Sequence, residues 1–130
     1  MIIRNYRPGD CPVLAQLFYD TVHTVNARDY TEEQLNAWAT GNVDLDSLNR
    51  SFSKHDTLIA EIDGKIVGFA DMDNTGYLDR LYVHRNFQGL GIASSLVCEL
   101  EQHAEDIGVT KFETYASITA MPFFMKRGYK

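Results

Sequence analysis

The chain has 130 residues, 45% of them hydrophobic and 23% charged, and its 12 Lys and Arg against 18 Asp and Glu give a net charge of −6. This length predicts one domain, residues 1–130, and no apolar run approaches the roughly 18 residues that a membrane span needs. The net negative charge excludes nonspecific electrostatic binding to nucleic acid. The first six residues resemble a strand rather than a signal peptide, and two distant cysteines, Cys11 and Cys98, suit a reducing compartment. We therefore expect a cytoplasmic protein with no membrane or nucleic-acid partner, which must bind any anionic ligand through local donors.

The first part of the chain predicts a strand followed by helices. Residues 2–6 form the strand, and Asp10 is the predicted N-cap of a helix whose apolar side chains recur every three or four positions from 13 to 25. A capping box at 31–34 opens a second helix, for which Gly41 is the predicted stop. Residues 45–52 suggest one more short helix.

The middle of the chain changes to the period of two that is typical of strands. Residues 57–62 and 65–71 flank Asp63-Gly64, a two-residue hairpin turn of the type I′ class, and residues 77–83 follow a second turn. These three segments predict an antiparallel meander.

A long helix, a strand and a short helix complete the predicted order. Apolar residues from 92 to 107 lie on one helical face, 109–116 reads as a strand, and 121–126 as a helix with Gly128 at its C′ position. A strand, a helix and a strand imply a right-handed crossover, which makes the last strand pair parallel. The main order is thus β-α-α-β-β-β-α-β-α, and the fold class is α+β with a mixed, mainly antiparallel sheet.

The stretch from Gln88 to Ala93 lies between a strand and the long helix and contains Gly89 and Gly91. Helix N-termini carry unpaired N–H groups and attract phosphate, and glycines let a ligand approach the backbone closely. A diphosphate is therefore the natural ligand, although the glycines alone are also compatible with a tight turn. A Rossmann site is disfavoured, because Ser94 replaces the third glycine and only one parallel strand pair can form.

Three motifs in the correct order resemble the GCN5-related N-acetyltransferase (GNAT) family. Gln88-x-x-Gly91-x-Ala93 matches the family's Q/R-x-x-G-x-G/A signature, residues 81–83 resemble its L-x-V strand, and residues 120–129 resemble its A-x-x-F-[YF]-x-x-x-G-[FY] block. Residues 30–39 and 116–124 are similar to an uncharacterised bacterial branch of the family. The resemblance implies a GNAT-like sheet with helices on both faces and acetyl-CoA as cosubstrate, in a direct transfer to a primary amine of a small molecule, peptide or protein.

The resemblance also implies site residues. The amides of the glycine loop would bind the pyrophosphate, with Arg85 or Arg80 as a nearby cation, while the last strand of the meander would pair with pantetheine and polarise the thioester carbonyl. Asp79 would take the ammonium proton or attract the acceptor, and Tyr115 would serve as an acid. The implied cofactor residues are Leu81, Tyr82, Val83, Gln88, Gly89, Leu90, Gly91, Ile92, Ala93 and Ser94, and the implied acceptor residues are Tyr30, Trp38 and Tyr77.

Two features depart from the family pattern. Phe124 occupies the position of the usual tyrosine acid, for which Tyr115 or Tyr82 could substitute, and Ser117 replaces an asparagine that often precedes the block. A catalytically weak acyl-CoA-binding module is therefore the alternative function. The C-terminal strands are expected to be missing or truncated, which leaves an exposed sheet edge. This predicts either a homodimer, through strand exchange or edge pairing, or a truncated product of marginal stability. The four histidines lack metal-ligand spacing, so no metal site is expected.

Overall fold

The computed structural model describes residues 1–114, 116, 117, 119–127 and 129, so Gly128 lies outside the described residues. No helix within these ranges is long and apolar enough to cross a membrane. The strands are β1 (Ile2–Asn5), β2 (Asp56–Ile62), β3 (Lys65–Met72), β4 (Tyr77–Val83) and β5 (Glu113–Thr114). The helices are α1 (Cys11–Thr24), α2 (Glu32–Trp38), α3 (Leu45–Lys54), α4 (Ile92–Asp106) and α5 (Met121–Lys126).

The five strands form one sheet in the order β1-β2-β3-β4-β5. The first three pairings are antiparallel and the β4–β5 pairing is parallel. Asp63 and Gly64 join β2 to β3 with φ angles of 52° and 78°, as a type I′ turn requires. The mixed, mainly antiparallel sheet that the sequence predicts is therefore confirmed.

Helices cover both faces of this sheet because its central strands are apolar on both sides. Leu96 and Leu100 of α4 pack against one face, together with Leu78 of β4. Leu14 of α1 and Phe52 of α3 pack with other apolar side chains, Ile59 and Phe69 among them, against the opposite face. This two-sided burial confirms the predicted layers and holds β4, which borders the candidate site, rigidly in the middle of the fold.

Two local predictions were wrong, and one was confirmed for the position of the residue but not for its side chain. Asp10 is the N-cap of α1, but its carboxylate accepts from the Arg4 guanidinium and from the Arg7 N–H (2.8 Å) instead of capping the helix. The helix α2 ends at Trp38, before Gly41. Of the described residues in the predicted strand 109–116, Glu113 and Thr114 alone lie in a strand; Glu113 pairs with Tyr77, the first residue of β4, and residues 109–112 precede that pairing.

Candidate active site

An open groove of about 630 Å³ runs beside β4. Its walls come from β4, from the α1–α2 region, and from the segment that follows β5. This groove brings together nine of the residues that the family resemblance implies: Tyr30, Trp38, Tyr77, Asp79, Leu81, Tyr82, Val83, Gln88 and Ala93. Tyr115, the implied acid, lies outside the described residues.

A β-bulge at Asp79 explains why the groove opens here. Asp71 pairs with Arg80 and Met72 pairs with Leu78, so Asp79 has no partner on β3. Such a bulge bends a strand and increases its twist. On the other side, within the described part of the chain, β5 pairs with β4 only at Tyr77 and Leu78. The rest of β4 is therefore splayed away from its parallel neighbour.

The splayed part of β4 presents backbone groups to the groove. The N–H of His84 donates to the carbonyl of Val67 on β3 (2.8 Å). Because backbone direction alternates along a strand, Tyr82 also turns its N–H and C=O toward β3, whereas Leu81 and Val83 turn theirs away from it. Of the three implied residues on this strand, Leu81 thus offers its N–H and C=O to a ligand and Tyr82 offers its side chain. Val83 offers its N–H, because its C=O accepts from the Gln88 side chain.

The glycine loop follows at one end of this strand. Gly89 and Gly91 have φ angles of 75° and 78°, and an added Cβ on either would meet no atom within 4 Å, so the space outside them is open. The helix α4 begins at Ile92, whose side chain is buried in the core. Its N-cap residue is Gly91, which has no side chain to cap the helix. The N–H groups of the first turn have no intrahelical acceptor, and together with the helix dipole they form an anion site.

Gln88, which was predicted to donate to phosphate, uses its side chain for a hydrogen bond within the protein. Its side-chain amide donates to the carbonyl of Val83 at 2.6 Å, which ties the loop to the end of β4. Leu90 is 63% exposed at the tip of the loop, and Ser94 is exposed in the first turn of α4. The loop therefore offers backbone amides more than side chains.

Cations lie beside this loop. The ammonium of Lys65 lies 5.7 Å from the centroid of the Phe87 ring. Burial, with the positive charges of Lys65 and Arg85, lowers the pKa of His84, whose Nδ1 accepts the N–H of Asn86 at 3.1 Å. Lys65 starts β3, remote in sequence from the loop, and the motif analysis missed it because only the sheet brings the two together.

Arg80, the other cation that the family resemblance implies near the phosphates, is bound to side chains of the protein instead. Its guanidinium donates to the carboxylate of Asp71 and to the hydroxyl of Ser51, and it stacks over the Phe52 ring at 4.9 Å. The positive charge of Arg80 is thus committed to the buried carboxylate of Asp71 rather than to a ligand.

Asp79 lies in the groove at the other end from the glycine loop. Its carboxylate is 3.5 Å from the Arg80 guanidinium and 4.0 Å from Nδ1 of His55. His55 donates to the fully buried Asp71 at 2.8 Å, and this hydrogen bond raises the pKa of His55. His55, Asp71 and Asp79 offer ligand atoms within 4.8 Å of one another, a spacing that suits a metal ion. However, the Arg80 guanidinium already supplies the positive charge that the two carboxylates require.

Aromatic side chains line the wall next to Asp79. Tyr30 packs edge-on against Trp38 with centroids 5.4 Å apart, and Trp38 lies 6.5 Å from the Tyr82 ring. Burial raises the pKa of the Tyr82 phenol. Tyr82 therefore stays protonated and is engaged as part of the wall.

Phe124 is buried in the wall formed by α5, where it packs against Phe123 (5.1 Å) and Tyr129 (5.0 Å). Its ring lines the groove without a proton to donate. Ser117 also lines the groove and accepts the N–H of Ala120 at 3.1 Å. The departures from the family pattern are therefore located in the groove itself.

Three comparisons with known proteins agree on the family. The model of the acetyltransferase (GNAT) domain matches residues 26–130. YafP of Escherichia coli K12, an uncharacterized N-acetyltransferase, is 32% identical over 128 residues, which are 98% of this chain and 80% of YafP. YafP typifies the bacterial branch that residues 30–39 and 116–124 resemble.

Solved structures extend the agreement. A GCN5-related N-acetyltransferase from Rhodopseudomonas palustris is 36% identical with a TM-score of 0.93, covering 97% of this chain and 79% of that one. The PaiA N-acetyltransferase of Thermoplasma acidophilum, solved with coenzyme A, shares the fold at 21% identity and a TM-score of 0.86, covering 99% and 89% of the two chains. Motifs, fold and relatives thus converge, and the chain belongs to the GCN5-related N-acetyltransferase (GNAT) family of acetyl-CoA-dependent enzymes.

Proposed function

We propose that this protein transfers the acetyl group of acetyl-CoA directly to a primary amine of a small molecule or a peptide. The observation that carries the proposal is the groove that reaches from Gln88 and Ala93 of the glycine loop to Asp79, bordered by the backbone groups of Leu81 and the N–H of Val83, which turn away from β3. The PaiA N-acetyltransferase, which shares this fold, was solved in complex with coenzyme A, and this supports the choice of cofactor.

In this proposal one end of the groove binds the phosphates of the cofactor, and the other end, at Asp79, receives the amine. The amides from Gly89 to Ser94 bind the pyrophosphate, with Lys65 and Arg85, the cations near His84 and Phe87, beside them. Pantetheine pairs with Leu81 and Val83 as an added strand would. The thioester then lies beside β4, between the phosphate site and Asp79.

The chemistry needs a neutral amine, an oxyanion donor and a leaving thiolate. The amine nitrogen forms a bond to the thioester carbon, a backbone N–H of Leu81 or Val83 holds the oxyanion, and the C–S bond then breaks. Asp79, directly or through water, accepts the proton that the nitrogen loses. The thiolate leaves without help from Phe124, because a thiol pKa of about 8.5 makes it an acceptable leaving group. Tyr115 stays a predicted acid.

The test is the release of free thiol from acetyl-CoA in the presence of a panel of primary amines. Asp79→Asn should lower kcat by about 10²–10⁴-fold, the usual contribution of a general base, while the Kd for CoA stays unchanged. Glu113→Gln is the matched control, since Glu113 is an exposed carboxylate on the neighbouring strand that pairs with Lys111. An unchanged rate in Asp79→Asn would remove Asp79 from the mechanism.

The alternative, a catalytically weak acyl-CoA-binding module, gives a different result in the same assay. Both kinds of protein bind CoA, and only the enzyme releases thiol when amines are supplied. If neither CoA nor acetyl-CoA raises the melting temperature, both proposals fail.

We also propose a cytoplasmic homodimer. Cys11 is buried and Cys98 is exposed, and both are free thiols, which suits a reducing compartment. In the described sheet β5 is an outermost strand, and its unpaired side could join a second copy as an edge strand does.

A further inference from the structure

Four polar side chains are buried among the described residues: Thr21, Asn26, Thr57 and Asp71. Two of them form hydrogen bonds inside the protein: Thr57 donates to the carbonyl of Phe52, and Oδ2 of Asp71 accepts from His55 and Arg80, while the buried Oδ1 of Asp71 has no partner among the described residues. The other two, Thr21 and Asn26, line the groove. Buried polar groups are generally hydrogen-bonded, so a polar group of a ligand in the groove can find a partner on this wall.

Asn26 reaches across the groove from the turn after α1. Its Nδ2 donates to the hydroxyl oxygen of Ser117, on the opposite wall, over 3.5 Å. No described residue donates to its carbonyl oxygen Oδ1, and that oxygen is not sealed from the groove. Asn26, only 5% exposed, thus presents an unused acceptor to the groove.

Ser117 presents the complementary group. Its oxygen accepts from Asn26 and from the N–H of Ala120 at 3.1 Å. A hydroxyl has two lone pairs and one proton, so both lone pairs are taken and the proton is left over. Among the described residues no acceptor receives it. A donor on Ser117 and an acceptor on Asn26 therefore lie side by side, with no charge on either.

We infer that Asn26 and Ser117 bind a neutral secondary amide of the acceptor, next to the amine that is acetylated. The N–H of such an amide donates to Oδ1 of Asn26, and its carbonyl accepts the Ser117 proton. This inference rests on the proposed function and names its substrate class, α-amino amides such as the N-terminal residue of a peptide.

The acceptor, rather than the cofactor, is assigned to this pair because of its position. Asn26 follows α1 and lines the groove together with Tyr30 and Trp38, on the wall that faces β4. The proposed path of pantetheine follows Leu81 and Val83 on β4 itself. An amide held by Asn26 thus belongs to the molecule that enters from the Asp79 side.

The test compares alanine N-methylamide with alanine methyl ester as acceptors. Both carry an electron-withdrawing carbonyl beside the amine, and only the amide has an N–H to donate. The protein should favour the amide by about tenfold in kcat/KM, the effect of one hydrogen bond. Asn26→Leu should abolish that preference, whereas Ser117→Ala should lower kcat/KM for amide and ester alike. KM for acetyl-CoA should stay unchanged in both variants.

Two results would overturn the inference alone and leave the proposed function unaffected. One is equal turnover of amide and ester by the unmodified protein, with thiol release intact, which leaves the proposed function standing. The other is a rise in KM for acetyl-CoA in Asn26→Leu, which would assign the amide to pantetheine. Thiol release with no amine at all would end both the inference and the proposed function. Should Asn26→Leu fail to fold, the comparison of amide and ester in Ser117→Ala and the unmodified protein decides.

Discussion

Replacing Gly91 with valine should separate cofactor binding from folding. Gly91 is the N-cap of α4 and has a φ of 78°, with open space where a side chain would begin. A valine there would project into the volume where we place the pyrophosphate, and it would also strain the backbone. The two effects need separate measurement.

Gly108 supplies the matched control. It follows the other end of α4 with a φ of 94°, and an added Cβ there also meets nothing within 4 Å. The helix has 15 residues, so the two glycines are about 22 Å apart at 1.5 Å per residue. Gly108→Val therefore carries a similar backbone strain but lies far from the glycine loop.

The magnitudes follow from general values. A left-handed conformation costs an L-residue roughly 1–2 kcal/mol, which for a domain of this size lowers Tm by roughly 3–10 °C. Both variants should show that loss. Only Gly91→Val should also lose at least one charge-assisted amide–phosphate bond, worth about 1.5–3 kcal/mol or roughly 10–150-fold in Kd.

Titration calorimetry with CoA and thermal unfolding in its absence measure the two effects on the same samples. If Gly91→Val binds CoA as tightly as the unmodified protein, the pyrophosphate is not held by this loop. If Gly108→Val loses CoA affinity to the same extent, the loss reflects global destabilisation, and the reasoning fails as well.

Two further predictions concern stability. Gly76→Ala should cost about 2–4 kcal/mol in urea unfolding, because φ is 94° and a Cβ would collide with the carbonyl of Lys111 and lie 2.7 Å from Cγ1 of Val109; an unchanged midpoint would show that this turn can shift freely. The hydrogen bond to Asp71 raises the pKa of His55 in the folded protein above 6.5, so its contribution to stability is complete below pH 6.5 and is lost as pH rises through the folded pKa. His55→Gln should remove this dependence, and an identical pH profile in the variant would contradict the assignment.

Local patterns in the sequence specify most of the elements, because their signals involve neighbouring residues. The capping box of Thr31 and Gln34 is present as predicted, with the Gln34 N–H on the Thr31 hydroxyl at 3.1 Å. The Asp63-Gly64 turn depends on two residues that tolerate positive φ, and the glycine loop is recognised by its spacing before an amphipathic helix. Residues 121–126 form their helix for the same local reason.

Tertiary structure decided where charges and strands meet. The Asp10 carboxylate does not cap α1 because Arg4, on β1, and the N–H of Arg7 occupy it. The predicted strand after Gly108 starts only at Glu113, because its partner β4 starts at Tyr77, opposite that residue. Such contacts join residues that are far apart in the chain, so no local period encodes them.

The sequence by itself determined the family, the order of the elements and the position of the phosphate-binding loop, since each depends on residue types at short spacing. Only the folded chain decided that Arg80 is bound to Asp71, that Lys65 lies beside the loop, and that Asn26 meets Ser117 across the groove. The physical reason is that hydrogen bonds and ion pairs between distant segments depend on how sheet and helices pack. These long-range pairs shape the acceptor end of the groove, which is why the sequence alone leaves the acceptor open.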